Sequence, residues 1–188
     1  MDYTYENFIK PYSSNFKLVK IEMEDIKKID NLIKGLRKAK SSEEHHKIDN
    51  TSFYQRFFTG TLGELALEKF LGVTGIVNWN VGDSKEFNKS DLKNIGINAG
   101  IKTVRYGQFP VVFKKNYNDE IIMIRWQSRY VYICGLANKK ILNEYQSDDL
   151  IVDPKLKERG TKAGFYGFEH LKIFNNLEEL KKISSIIL

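Results

Sequence analysis

The segment from Arg129 to Ala137 constrains the fold most strongly, because it is almost continuously apolar. A strand of this kind is typical of the centre of a sheet that is covered on both faces. The segment contains the one cysteine of the chain, Cys134, so no intramolecular disulfide can form. We expect this cysteine to be a small buried residue and not a nucleophile. The sequence therefore predicts a layered α/β domain.

A long helix is predicted to pack on that sheet, at about Ser52 to Leu71. Its apolar side chains form one broad face, which comprises Tyr54, Phe58, Leu62, Leu65, Ala66 and Phe70. Glu64 lies at the flank of this face. Two glycines, Gly60 and Gly63, weaken a helix by about 1 kcal/mol each relative to alanine. Their presence indicates the close approach of another backbone or of a ligand.

The remaining patterns complete a single domain of 188 residues, 41% of them hydrophobic. Strands are predicted at 16–22, 74–79, 97–104, 110–113 and 121–126, helices at 25–40, 139–145 and 177–187, a turn at 116–120 and a long basic loop at 155–168. We expect an α/β fold with a mixed central β-sheet flanked by helices. Residues 1–50 would be an N-terminal extension, residues 51–137 the core, and residues 138–188 a C-terminal strand, basic loop and helix.

The charge balance suits a polyanionic partner and equally a lysine-rich solvated surface. Thirty Lys and Arg residues against 24 Asp and Glu residues give a net charge of +6. The polar start of the chain predicts no signal peptide, and no apolar run approaches membrane-spanning length. The expected location is therefore the cytoplasm, with no membrane partner.

A candidate site spans the helix and a following strand. Asp91 precedes a tight turn, and ten residues separate it from Lys102 in the strand Ala99-Gly-Ile-Lys-Thr-Val104. The two-residue period of a strand places Gly100 and Lys102 on one face. With Glu64 on the helix, two carboxylates and a lysine could hold a divalent metal beside a phosphodiester.

These pieces resemble the PD-(D/E)XK nuclease superfamily, which has the restriction-endonuclease-like fold, over about Arg56 to Ala137. The resemblance rests on the Gly60–Gly72 helix, on Ser-Asp91-Leu and on Gly100-Ile-Lys-Thr. It implies that Glu64, Asp91 and Lys102 are catalytic. It also implies that Asp91, Glu64 and the main-chain carbonyl of Ile101 bind Mg²⁺, for which Mn²⁺ could substitute. The activity would be that of a DNA endonuclease of restriction or bacteriophage type.

One position departs from the superfamily pattern. The acidic residue that usually stands two before the lysine is replaced by Gly100. Glu64, or Glu68 one turn later, would then supply the absent carboxylate from the helix. This departure also favours an alternative, a non-catalytic nucleic-acid-binding module with a degenerate nuclease fold. A basic assembly protein is a third reading.

Contacts to nucleic acid are predicted near the lysine and in the basic loop. The candidates are polar or cationic side chains at Thr103, Arg105, Gln108, Arg159 and Lys162. A homodimer would explain cleavage of both DNA strands, although no pattern in the sequence specifies one.

Other registers match an acidic-x-Lys string, at Asp83-Ser-Lys85 and at Asp91-Leu-Lys93. A purely structural role for Glu64, Asp91 and Lys102 is the remaining interpretation. The adjacent His45 and His46 are not favoured as metal ligands, because neighbouring loop side chains point in different directions.

Overall fold

A four-stranded mixed sheet forms the centre of the protein. The structure, a computed structural model, describes residues 4–40, 50–79 and 91–184. The strands are β1 (Lys17–Lys20), β2 (Ala99–Arg105), β3 (Val111–Phe113), β4 (Asp119–Arg125), β5 (Tyr130–Ala137), β6 (Gln146–Ser147) and β7 (Lys162–Phe165). The helices are α1 (Tyr5–Phe8), α2 (Met23–Lys40), α3 (Asn50–Leu71), α4 (Lys139–Glu144), α5 (Pro154–Arg159) and α6 (Leu177–Ile183).

The central sheet has the strand order β1-β5-β4-β2. Strands β2 and β4 are parallel, whereas β4–β5 and β1–β5 are antiparallel. Strand β5 is the segment predicted to be central, and its residues Val131, Ile133, Cys134, Leu136 and Ala137 are buried. The predicted α/β class, with a mixed sheet flanked by helices, is thereby confirmed.

Helices α2 and α3 cover one face of this sheet. The core between them includes Leu62 and Ala66 of α3 together with Ala99 and Ile121 of the sheet, all fully buried. Helix α3 is buried beyond its apolar face, because Thr59, Thr61 and Glu68 are also buried. The helix therefore contacts the rest of the protein over more than its apolar face.

A second sheet covers the opposite face, in the order β3-β7-β6. Ile122 and Ile124 of β4 pack there with Phe165 and Phe168. The predicted loop at 155–168 is thus wrong in large part. Asp153 caps α5 by accepting hydrogen bonds from the amides of Lys155 and Leu156, and Gly160 ends the helix at φ 63° before β7 begins.

The chain that connects β2 to β4 contains the strand predicted at 110–113, and that strand does not pair with β4. A parallel pair requires a crossover of about a dozen residues. The chain makes it through 106–118, where β3 leaves the central sheet and pairs with β7. The predicted turn at 116–120 was therefore wrong at its end, since Asp119 and Glu120 belong to β4.

The predicted strand at 74–79 is also absent; these residues follow an irregular path. The buried carboxylate of Glu68 accepts hydrogen bonds from the amides of Ile76 (2.8 Å) and Val77 (3.0 Å). The Glu68 side chain thus satisfies the Ile76 and Val77 amides, which in a strand would donate to the backbone of a neighbouring strand. Among the described residues, no helix combines the length and the apolarity needed to cross a membrane.

Candidate functional site

Asp91 lies beside the edge of β2 that faces away from β4. Its Oδ2 accepts a hydrogen bond from the Ile101 N–H at 2.6 Å. The 3₁₀ turn Lys93–Ile95 and Gly96, at φ 80°, bring the chain back to the strand. The predicted closure of this ten-residue gap is confirmed. Within a strand the N–H and C=O of one residue point to the same edge, so the Ile101 carbonyl also lies on the side of Asp91.

Close packing of α3 on β2 brings Glu64 to this edge. A Cβ added at Gly63 would overlap Oγ1 of Thr103 and lie 2.8 Å from its Cβ, so glycine is needed at this contact. Gly60 has open space around it. Of the two glycines, Gly63 is the one that a neighbouring group approaches closely. That group is the Thr103 side chain.

The Glu64 carboxyl group is both poorly solvated and repelled by its neighbours. Its pKa is raised to about 7, mainly by burial and also by the charges of Asp91 and Glu68. Burial also raises the pKa of Asp91, while the Ile101 N–H and the charge of Lys102 act in the opposite direction. The structure thus brings Asp91 within electrostatic reach of both Glu64 and Lys102.

Lys102 projects from the face of β2 that is opposite to α3. Ala99 and Ile101 pack in the core under α3, whereas Val104 packs in the second core. The predicted alternation along β2 is therefore confirmed. The site wraps around the edge of β2, with Glu64 on one face, Asp91 at the edge and Lys102 on the other face.

A third carboxylate, Glu120, joins Lys102 on its face and was missed in the sequence. Glu120 is the second residue of β4 and pairs with Gly100 in the parallel register. Its pKa is raised to about 7, mainly because the group is buried; the charge of Lys102 acts in the opposite direction, and the charge of Asp91 adds to the rise. The sequence does carry a signal for Glu120, because an acidic pair directly precedes the apolar run Ile121–Ile124. The prediction assigned this pair to a turn.

The donor set at this edge fits a small hard cation. Mg²⁺ is usually held by one or two carboxylates and keeps several waters. Asp91, the Ile101 carbonyl, Glu64 and Glu120 offer only oxygen, and no hydrogen-bond donor among the described residues contacts the Glu64 or Glu120 carboxylate. Within the same residues, no three His, Cys, Asp or Glu side chains are already grouped as metal ligands.

The residues predicted to contact nucleic acid differ in how near they lie to Lys102 and in how accessible they are. Lys162 on β7 lies within electrostatic reach of Lys102 and Arg159, and its pKa is lowered by burial first and then by these two cations. Arg105 and Gln108 lie at the far end of β2, where Arg105 Nε donates to Gln108 Oε1 at 3.4 Å. Thr103 does not suit a contact with nucleic acid, because its hydroxyl is buried under Gly63.

The competing sites gain no support. Lys93 is exposed in the 3₁₀ turn. The lysine whose charge lowers the pKa of Asp91 is Lys102. Glu68 is engaged by two amides, which leaves it ill-suited as the substitute ligand. Asp83, Lys85, His45 and His46 lie outside the described residues.

Comparisons of the chain with protein-family models, with curated proteins and with solved structures give no match. The functional argument therefore rests on the geometry of these residues and on the sequence pattern.

Proposed function

We propose that this protein is a metal-dependent endonuclease that hydrolyses DNA phosphodiester bonds, and that it is a distant member of the PD-(D/E)XK superfamily. The observation that carries the proposal is the hydrogen bond between Asp91 and the Ile101 N–H, at a strand edge that Glu64 and Lys102 also approach. It holds a carboxylate against the strand that carries Lys102, and a carboxylate and a lysine beside one metal ion are groups that support phosphodiester hydrolysis.

Each residue has a role that follows from its charge. Asp91, Glu64 and the Ile101 carbonyl would hold Mg²⁺, which when bound supplies a more acidic water and neutralises phosphate charge. Lys102 orients the attacking water or stabilises the additional negative charge of the transition state. The Ile101 N–H fixes the Asp91 carboxylate, so that its second oxygen is left for the cation.

The DNA backbone would run across the basic side of the site. Lys162 lies near Lys102 and Arg159 lies near Lys162, and the two cations can neutralise phosphates of the bound backbone. At the far end of β2, Arg105 precedes Tyr106, whose ring is 48% exposed. Tyr106 stacks on Trp126 with 6.4 Å between ring centroids, and exposed aromatic pairs of this kind accept nucleobases.

The compartment and the assembly belong to the same proposal. The one cysteine is free and buried, which agrees with a cytoplasmic enzyme. A homodimer would present one site to each strand of a duplex, and sedimentation with and without DNA tests this arrangement.

Cleavage of supercoiled plasmid in Mg²⁺ or Mn²⁺ tests the activity. We expect the wild-type chain to nick the plasmid, and Asp91→Asn and Lys102→Ala to lower the rate at least about 100-fold while remaining folded. Lys93→Ala is the matched control, because this lysine is exposed in the turn beside the site and should cut normally. A pure, folded wild-type protein that leaves DNA intact with both metals contradicts the proposal.

The non-catalytic binding module remains the second candidate, and the glycine at position 100 is the observation that favours it. Such a module would bind DNA in a salt-dependent manner, and its affinity would be the same in the presence and absence of Mg²⁺. Binding without cleavage, unchanged by Asp91→Asn, would support this alternative.

A further inference from the structure

The space that an acidic side chain at position 100 would occupy is already filled. A Cβ added at Gly100 would overlap Oε2 of Glu120, and it would lie 3.0 Å from the Cδ and 3.1 Å from the Oε1 of that residue. The contacting group is a carboxylate and not an apolar side chain. Glu120 therefore places its charge where the superfamily pattern requires one.

Strand pairing explains this coincidence. In the parallel register of β2 and β4, Gly100 is opposite Glu120 and Lys102 is opposite Ile122. Paired residues of neighbouring strands lie about 4.8 Å apart and point to the same face. Glu120 thus lies beside Lys102 on one face, as an acidic residue at position 100 would.

The glycine itself has no other explanation in the fold. Gly100 is outside the left-handed region, since the positive φ angles among the described glycines occur elsewhere. The backbone at this position would accept any L-residue. The atoms that a side chain would meet here are those of the Glu120 carboxylate, so a residue larger than glycine would displace that carboxylate.

We infer that Glu120, from the neighbouring strand β4, supplies the metal-binding carboxylate that Gly100 lacks. This inference rests on the proposed function, because it adds a ligand to the same site. The cation would bind between Asp91, the Ile101 carbonyl and Glu120, and Lys102 would stand beside it. Glu64 approaches from the α3 face and completes the shell from the other side.

A competing role for Glu120 is to neutralise Lys102 without touching a cation. The two roles predict different metal affinities for a protein in which Glu120 is neutralised. A charge partner of Lys102 would leave the metal affinity unchanged when it is neutralised, whereas a ligand would not. Direct measurement of metal binding separates them without any cleavage assay.

The experiment is calorimetric titration of the full chain with Mn²⁺ in the absence of DNA. We expect Glu120→Gln and Asp91→Asn each to weaken Mn²⁺ binding at least about tenfold. Glu144→Gln is the matched control, because Glu144 is exposed at the end of α4, and its affinity should stay within about twofold of wild type. Equal affinity of Glu120→Gln and wild type overturns the inference, and so does a wild-type chain that binds no Mn²⁺.

Moving the carboxylate from position 120 to position 100 tests whether the two positions can serve the same cation. Gly100→Glu alone should lower the melting temperature, because it displaces the Glu120 carboxylate and adds a second negative charge beside it. Gly100→Glu combined with Glu120→Ala should fold and recover Mn²⁺ binding that Gly100→Ala/Glu120→Ala lacks. A folded exchange variant that binds no better than this double-alanine control contradicts the interchange of the two positions.

The two proposals fail in different ways. Wild-type protein that binds Mn²⁺ through Glu120 but never cuts DNA would overturn the nuclease and leave the metal ligand established. Wild-type protein that cuts DNA while Glu120→Gln binds Mn²⁺ normally would overturn the ligand and leave the nuclease standing.

Discussion

At the scale of single residues, the carboxyl groups of the site lower the stability of the metal-free protein. Glu64 and Glu120 are partly buried, lie near other acids and have pKa values of about 7. Groups of this kind occur at functional sites, because burial and like charge are arranged there for a ligand or a reaction. A cation would remove the repulsion that the folded chain otherwise retains.

The stability of the metal-free protein should fall as the pH rises toward neutrality. The ordinary pKa of a glutamate is 4.5, and both values are raised, so the native state holds protons that the unfolded chain has released between pH 4.5 and 7. The stability contribution is therefore complete below pH 4.5 and is lost as the pH passes through 7.

Thermal melts from pH 4.5 to 8 in EDTA measure this effect. Glu64→Gln should stabilise the protein at pH 8 by about 1 kcal/mol, a figure reduced for partial solvation, and should change little at pH 5. Addition of Mg²⁺ at pH 8 should raise the melting temperature of the wild type. Glu144→Gln should follow the wild-type curve, and a Glu64→Gln variant that does the same would contradict the assignment.

At the scale of secondary-structure elements, the contact between α3 and β2 determines whether Glu64 reaches Asp91. The helix lies so close to the strand at Gly63 that the Thr103 hydroxyl is buried without a hydrogen-bond partner among the described residues. The unsatisfied hydroxyl shows that proximity of helix and strand is retained here at the expense of a hydrogen bond.

Two glycines on one helix provide an internal comparison of this contact. Gly63→Ala should destabilise the protein by about 1–3 kcal/mol, because its Cβ overlaps Thr103. Gly60→Ala should instead stabilise it by about 1 kcal/mol, since the position has open space and alanine favours the helix. Urea denaturation of both variants measures the difference, and equal effects would show that the approach at Gly63 is not tight.

At the scale of the whole molecule, basic residues occur at both edges of the central sheet. Lys162 lies near Lys102 of the candidate site, and Arg159 lies near Lys162. Lys17 lies on β1, at the opposite edge of the sheet. The net charge of +6 therefore does not by itself say where a polyanion binds.

Salt dependence of DNA binding locates the partner. Lys162→Ala and Arg159→Ala should each reduce the slope of log affinity against log salt by about 1, because each removes one phosphate contact. Lys17→Ala should leave the slope unchanged. Fluorescence anisotropy of labelled DNA in Ca²⁺ or EDTA measures binding without cleavage, and an equal loss in all three variants would indicate a diffuse electrostatic surface.

The sequence determined the parts of this protein that depend on neighbouring residues. Apolar run length indicated the central strand β5, and the two-residue period placed Gly100 and Lys102 on one face of β2. Three-and-four spacing and helix-breaking residues indicated α2 and α3. The turn between Asp91 and Ile101 followed from its length and from Gly96. All of these are local, because they arise from periodicity and backbone preference within about ten residues.

Only the tertiary structure decided which strands are neighbours. The parallel pairing of β2 with β4 joins Gly100 to Glu120, twenty residues later, and it sends β3 to a second sheet. Pairing depends on how whole faces are buried, and a strand pattern carries no label for its partner. The absent acid was visible in the sequence, whereas the carboxylate that fills its place became visible only when the two strands lay side by side.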